Sequence, residues 1–273
     1  MNRVEDLFRR KRAKGAKGLI LFLSAGYPDM AASVQLAAAA AESGADLIEF
    51  GVPFSDPIAD GPTIQRSSAI ALERGATLEK VLVAVEQIRR RSGVPIVLFG
   101  ALNPFLRYGL ERVARAGRQA GADGFIIPDL PPEESAEFED ICRREEMTMT
   151  HLLAPTSPPQ RRALVAQRST GFVYYVSVKG VTGARKDLPS DLSEQMSQIR
   201  SITDKPLAVG FGISRPEHVR QGAAVADAVV VGSAAINLIA QNEGRPDLES
   251  KLRQYVESLA SALPATTTLE TLD

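Results

Sequence analysis

Short apolar runs recur along the whole chain, and helical patterns separate them. The runs fall at 19–24 (LILFLS), 46–50 (DLIEF), 95–99 (PIVLF), 124–128 (GFIIP), 148–153 (TMTHLL), 172–177 (FVYYVS), 206–210 (PLAVG) and 228–232 (AVVVG). Runs this short and this poor in polar alternation are strands buried on both faces, the condition of a parallel sheet covered by helices. Between them, Thr77 is placed to cap a helix whose Leu78, Val81, Leu82, Val85 and Ile88 share one face. Ser157-Pro158 and Ser214-Arg215-Pro216 mark two further helix starts. Eight strand–helix units in 273 residues predict a single α/β domain over 1–273, folded as a (β/α)8 TIM barrel. A doubly wound open sheet is the alternative, but no GxGxxG fingerprint follows the first run. The basic N-terminus carries Val4, Leu7 and Phe8 at helical spacing and is expected to form an N-terminal capping helix. An organellar transit peptide is the competing reading, opposed by Glu5 and Asp6. Residues 264–273 are expected as a loose tail.

Several classes of function are disfavoured by composition. A net charge of −1 offers no electrostatic footprint for nucleic acid or an anionic membrane. No apolar run reaches membrane-spanning length. The single cysteine, Cys142, excludes an internal disulfide and fits a reducing cytosol, so a cytoplasmic location is expected. His151 and His218 share no ligand spacing with each other or with the cysteine, so no metal is expected.

The segment 49–65, EFGVPFSDPIADGPTIQ, holds three acids (Glu49, Asp56, Asp60), three prolines and no Lys, Arg or His. A faint repeat isolates one of these acids. Ala-Asp opens three strands, at Ala45-Asp46, Ala122-Asp123 and Ala226-Asp227, and three residues past each Asp stand Glu49, Ile126 and Val230. Glu49 therefore occupies a position that is apolar in the other two copies. Strand alternation places Leu47 and Glu49 on one face, Ile48 and Phe50 on the other. At the C-terminal end of a barrel strand, desolvation would raise the pKa of Glu49 and suit it to acid–base work. A structural Glu paired with a base from another strand is the plain alternative. Asp60 precedes Gly61-Pro62, so by itself it reads as a turn residue. Beside Glu49, it becomes a second carboxylate able to divide acid and base roles. Asp56 reads as a turn or surface-contact residue. Gly210-Phe211-Gly212-Ile213-Ser214 and Gly232-Ser233 follow the last two strands. Those are the positions where barrels of this kind hold phosphate on backbone N–H groups. The segment VKGVTGARKDLPSD carries Lys179, Arg185 and Lys186. It reads either as a lid over an anionic substrate or as an ordinary loop.

These motifs together resemble the α subunits of tryptophan synthase. The stretches that carry the likeness are LFLSAGYPD (21–29), DLIEFGVPFSDPIADGPTIQ (46–65), GADGFIIPDLPPEES (121–135), GVTGAR (180–185), VGFGIS (209–214) and VVVGSA (229–234). The resemblance implies a lyase that cleaves indole-3-glycerol phosphate to indole and glyceraldehyde 3-phosphate. It implies Glu49 as the acid–base on the indole ring carbon and Asp60 as the stabiliser of the ring N–H. Phe22 and Tyr174 would line the indole pocket, and Gly183, Gly212, Gly232 and Ser233 would hold the phosphate. It further implies no cofactor in this chain and a pyridoxal-phosphate β subunit as partner in an α2β2 tetramer. That partner would meet residues 53–58 and 101–104, although the family commonly has an aromatic where this chain has Ala101. Two other readings stay open: another sugar-phosphate barrel isomerase, and a chain that mainly activates its partner.

Overall fold

A computed structural model describes residues 2–176, 189–210 and 212–264. Its strands are β1 Gly18–Ser24, β2 Leu47–Gly51, β3 Ile96–Phe99, β4 Gly124–Ile126, β5 Thr148–Thr150, β6 Leu152–Leu153, β7 Val173–Val176, β8 Leu207–Gly210 and β9 Ala228–Val231. They form one sheet in the order β5-β4-β3-β2-β1-β9-β8-β7-β6, and each pair of adjacent strands in that order is parallel. The two ends of that order, β5 and β6, are consecutive in the chain and flank His151. The sheet is therefore a nearly closed barrel, as the sequence pattern predicts.

The expected fifth strand, 148–153, is one path broken in two. The His151 N–H donates to Ser169 Oγ at 3.1 Å, while its carbonyl still accepts from Tyr174 N at 3.1 Å. A side chain has taken the ladder bond, so pairing lapses for one residue. The expected run 124–128 stops as a strand at Ile126; Pro128, two residues on, has no N–H to give. The run 172–177 begins one residue later, at Val173, because Phe172 N donates back to Thr170 O. Ser177 lies outside the described residues. Of the two expected helix starts, Ser214-Arg215-Pro216 holds and Ser157-Pro158 moves on by one residue. The helices begin at Pro159 and Pro216 with Pro158 and Arg215 as caps, while Ser157 Oγ accepts from Ala154 N in its own turn.

Two apolar layers follow from strand alternation. Leu47, Val97, Ile126, Ala208, Ala228 and Val230 point into the barrel; Ile48, Phe50, Leu98 and Val209 meet the surrounding helices. The helix Leu78–Arg91 is capped by Thr77 and buries the predicted face of Leu78, Val81, Leu82, Val85 and Ile88. The helix Arg3–Ala13 starts at Asn2, whose side chain accepts from Val4 N. It buries Val4, Leu7 and Phe8 in the interior layer, with the Phe8 ring 5.4 Å from that of Phe172. This is the expected cap, and it plugs the floor of the barrel. The tail residues 265–273 lie outside the described residues.

The Ala-Asp repeat has a structural meaning at that floor. Asp46, Asp123 and Asp227 each accept, through Oδ2, the N–H of the first or second residue of a neighbouring strand: Leu19, Ile96 and Leu207, all at 2.9 Å. Each also meets a base: Lys11 with Asp46, Arg3 and Arg89 with Asp123, Arg200 with Asp227. All three carboxylates stitch adjacent strands, and two of them, Asp46 and Asp123, also anchor the first helix to the sheet.

Candidate active site

The opposite end of the barrel is built differently. Glu49 sits on β2 between Phe22 of β1 and Val97 of β3, and is 1 % exposed. Its Oε1 has no hydrogen-bond partner. The paired structural Glu that the sequence allowed is therefore not what the described residues form. Burial alone pushes its pKa up to about 8. A carboxyl in that state keeps its proton at neutral pH and can donate it.

Asp60 ends the loop after β2, half-buried, in a turn where its N–H donates to Pro57 O at 3.0 Å. Gly61 follows as the helix cap, and Pro62 opens the helix Pro62–Glu73. Desolvation first, and the neighbouring Asp129 second, raise the Asp60 pKa to about 6. Asp56 is exposed and accepts from Ser55 Oγ, consistent with a turn or surface role.

Phe22, Glu49, Asp60, Tyr174, Gly212, Gly232 and Ser233 all line one cavity of about 230 Å³. Its apolar walls come from Ile64, Phe99, Leu152, Ile213 and Val230. Phe22 and Phe99 meet edge to face, centroids 5.4 Å apart at 84°. Tyr174 is buried; desolvation, then Glu49 and Asp60, hold its phenol well above the usual range. The Tyr174 ring lies across Gly210, where a Cβ would fall 2.5 Å from the phenol oxygen, so only glycine fits. Gly212 adopts φ +87°, which glycine reaches without strain. Gly232 caps the helix Ser233–Gln241 with no side-chain acceptor; its carbonyl accepts from Ala235 N and Ile236 N, and Gly232, Ser233 and Ala234 line the cavity. Gly183, and with it Lys179, Arg185 and Lys186 of the expected lid, lies outside the described residues.

A second, outer cavity adjoins the first across Phe22, Asp60, Ile64 and Phe99. Phe54, Pro57 and Ile58 line it from one side and Gly100 and Ala101 from the other. The segments 53–58 and 101–104 thus meet over one opening. Asp129 lines the same cavity and accepts from Leu102 N at 2.9 Å. Sequence reasoning did not single out Asp129; its place beside Pro128 at the end of β4 was the available signal. The two histidines serve the scaffold. His151 Nε2 lies 2.8 Å from Glu139, and His218 Nε2 lies 2.9 Å from an Arg215 nitrogen.

A parallel barrel whose mouth holds a bare buried acid, a second carboxylate of lower pKa and two glycine turns has the make-up of a (β/α)8-barrel enzyme. Residues 8–264 match the family model described as tryptophan synthase alpha chain. The tryptophan synthase alpha chain of Geobacter sulfurreducens is 47 % identical over 263 residues, covering 96 % of this chain and 99 % of the relative. That of Chloroflexus aggregans is 43 % identical, covering 96 % and 98 %. Among solved structures, Mycobacterium tuberculosis tryptophan synthase superposes with a TM-score of 0.89 at 38 % identity, covering 96 % and 98 %. The alpha subunit from Legionella pneumophila gives 0.88 at 35 %, with the same coverage. The chain belongs to the tryptophan synthase alpha chain family.

Proposed function

We propose that Glu49 and Asp60 carry the reaction of this family, the retro-aldol cleavage of indole-3-glycerol phosphate. The observation that carries the assignment is the unpartnered, buried Oε1 of Glu49, a residue that lines a largely apolar cavity. Protonated Glu49 gives its proton to the indole ring carbon that bears the glycerol chain. Positive charge then develops on the ring nitrogen, and ionised Asp60 receives the ring N–H as a charge-assisted hydrogen bond. The bond between ring and side chain breaks, and its electron pair returns to the ring. The side-chain hydroxyl becomes the aldehyde, and its proton returns to the Glu49 carboxylate. One proton enters and one leaves, so the enzyme ends as it began. Phe22 and Tyr174 supply the apolar walls for the indole ring. The backbone at Gly212, Gly232 and Ser233 is suited to the phosphate, because a helix start presents N–H groups and a favourable dipole to an anion. Gly183 belongs to the same phosphate set by resemblance.

The family implies a β subunit, and the opening framed by residues 53–58 and 101–104 is the surface we assign to it, in an α2β2 assembly. The pyridoxal-phosphate chemistry belongs to that partner; the step assigned to this chain uses only its own proton carriers. A place in tryptophan biosynthesis and a cytoplasmic location follow from the same reading. Among the described residues, no helix is long and apolar enough to cross a membrane. The deciding experiment is release of free indole from indole-3-glycerol phosphate by the purified chain, with and without a β subunit. Turnover of a related sugar phosphate in the absence of indole release would overturn the assignment. Stimulation of the partner by a chain that releases no indole would favour the activator reading instead.

A further inference from the structure

Two helices carry the two halves of the proposed site, and a polar contact joins them close to it. The helix Pro62–Glu73 begins two residues after Asp60, and Gln65 Nε2 of its first turns donates to the Asp60 carbonyl at 2.8 Å. The Asp60 backbone therefore moves with that helix. The helix Ser233–Gln241 begins at the Gly232–Ser233 turn. Thr63, in the first turn of one, donates through Oγ1 to Asn237 Oδ1, one turn into the other, at 3.2 Å. Both residues are half-buried, so water competes only in part for the bond. The same helices are tied again at their far ends, where Arg74 meets Glu243 at 2.8 Å. Ser67 fastens the first helix to β1 independently, through a buried 2.7 Å contact with Ser24. The general packing of the helix thus has its own anchors. What the Thr63–Asn237 bond adds is a fixed offset between the end that bears Asp60 and the end that bears the glycine turn.

We propose that Thr63 and Asn237 are a positioning pair for the cleavage: their bond sets the register between the Asp60 turn and the Gly232–Ser233 turn. The proposal rests on the site reading above. A substrate held by its phosphate at one helix and by its ring N–H at the other is sensitive to that register. A displacement of about 1 Å at a reacting centre costs on the order of 100-fold in rate. A directional hydrogen bond fixes an offset where two apolar side chains would allow sliding.

The test uses the full chain with Thr63→Val, which is near-isosteric and lacks the donor, and Thr63→Ser, which keeps it. Turnover and KM are read from indole release, inorganic phosphate serves as a competing anion, and Tm reports the fold. The expected result for Thr63→Val is a kcat lower by roughly tenfold, with phosphate inhibition and Tm close to wild type. Thr63→Ser should restore the rate to within about twofold, and Asn237→Ala should reproduce the loss. Unchanged kcat in Thr63→Val would overturn the proposal. So would a loss of rate that runs in step with phosphate affinity or Tm, or one that Thr63→Ser fails to repair. The underlying site reading fails on different evidence: wild-type rates in Asp60→Asn, or no competition by phosphate in the unmodified chain.

Discussion

The barrel's two ends treat the same chemical group in opposite ways. At the floor, Asp123 is 1 % exposed, yet both of its oxygens are engaged, by Arg3 on one side and by Arg89 and the Ile96 N–H on the other. At the mouth, Glu49 is equally buried and its Oε1 is engaged by nothing. Asp227 at the floor shows the electrostatic result. Burial pushes its pKa up, but the Leu207 N–H and Arg200 outweigh burial and hold it below the ordinary value. Glu49, with burial and no counterweight, moves the other way, to about 8. Burial alone does not decide what a carboxylate does; the partners that burial leaves in place decide it. The floor turns its acids into structure, and the mouth keeps its acids available for chemistry.

The strongest way to break this contrast is Glu49→Gln. Cleavage should fall by at least about 1,000-fold, and the protein should become more stable near and above neutral pH. The sign follows from linkage. The folded pKa of about 8 lies above the ordinary carboxylate value of 4.5. Between those values the unfolded chain loses a proton that the folded chain retains, so folding stability drains away as pH rises through that window. The amide escapes the loss. A Tm of Glu49→Gln below that of wild type at pH 8 would contradict a bare buried acid.

Next in size is the floor. Asp123→Ala should cost about 3 to 5 kcal/mol, because it strands Arg89 and the Ile96 N–H. Turnover per folded molecule should be unchanged, as measured by denaturant unfolding beside active-site titration. A variant that stayed stable but lost activity would merge the two ends that the structure separates.

A third measurement sharpens the division of labour between the mouth's acids. On the proposed assignment Glu49 works protonated, below about 8, and Asp60 works ionised, above about 6. The rate should therefore trace a bell between those limits, and Asp129→Asn should move its acid limb to lower pH by removing the charge that opposes ionisation of Asp60. A flat profile over that interval would remove the assignment.

The smallest expected effect is Asp227→Asn. Its lowered pKa supplies stability that is present above the ordinary value of 3.8 and is lost as pH falls through the folded value. The substitution should cost about 1 to 2 kcal/mol at neutral pH, and the cost should shrink below about pH 4. An equal cost at both pH values would mean that the charge contributes nothing.

Much of this was legible from the chain because the signals are local. The Thr77 cap and the apolar face that follows it lie within a few turns, and the structure reproduces them residue for residue. Glu49 was legible because Ile126 and Val230 stand in the matching places of sister strands, and both indeed face the barrel interior. The glycine turns after the last two strands were readable in the same way. What escaped depends on residues far apart. The break at His151 comes from Ser169, eighteen positions away, claiming a ladder donor. The aspartates of the repeat served in sequence only as a ruler; their role as strand stitches needs the neighbouring strand to be in place. Asp129 gains meaning only once the loop after β3 and the Asp60 turn share an opening.

The plugged floor has one more consequence. With Val4, Leu7 and Phe8 stoppering one end of the interior, the barrel is a blind well rather than a tube. Among the described residues the cavity is reached from the opposite rim, so anything seated on that rim governs traffic in both directions without touching an atom that reacts.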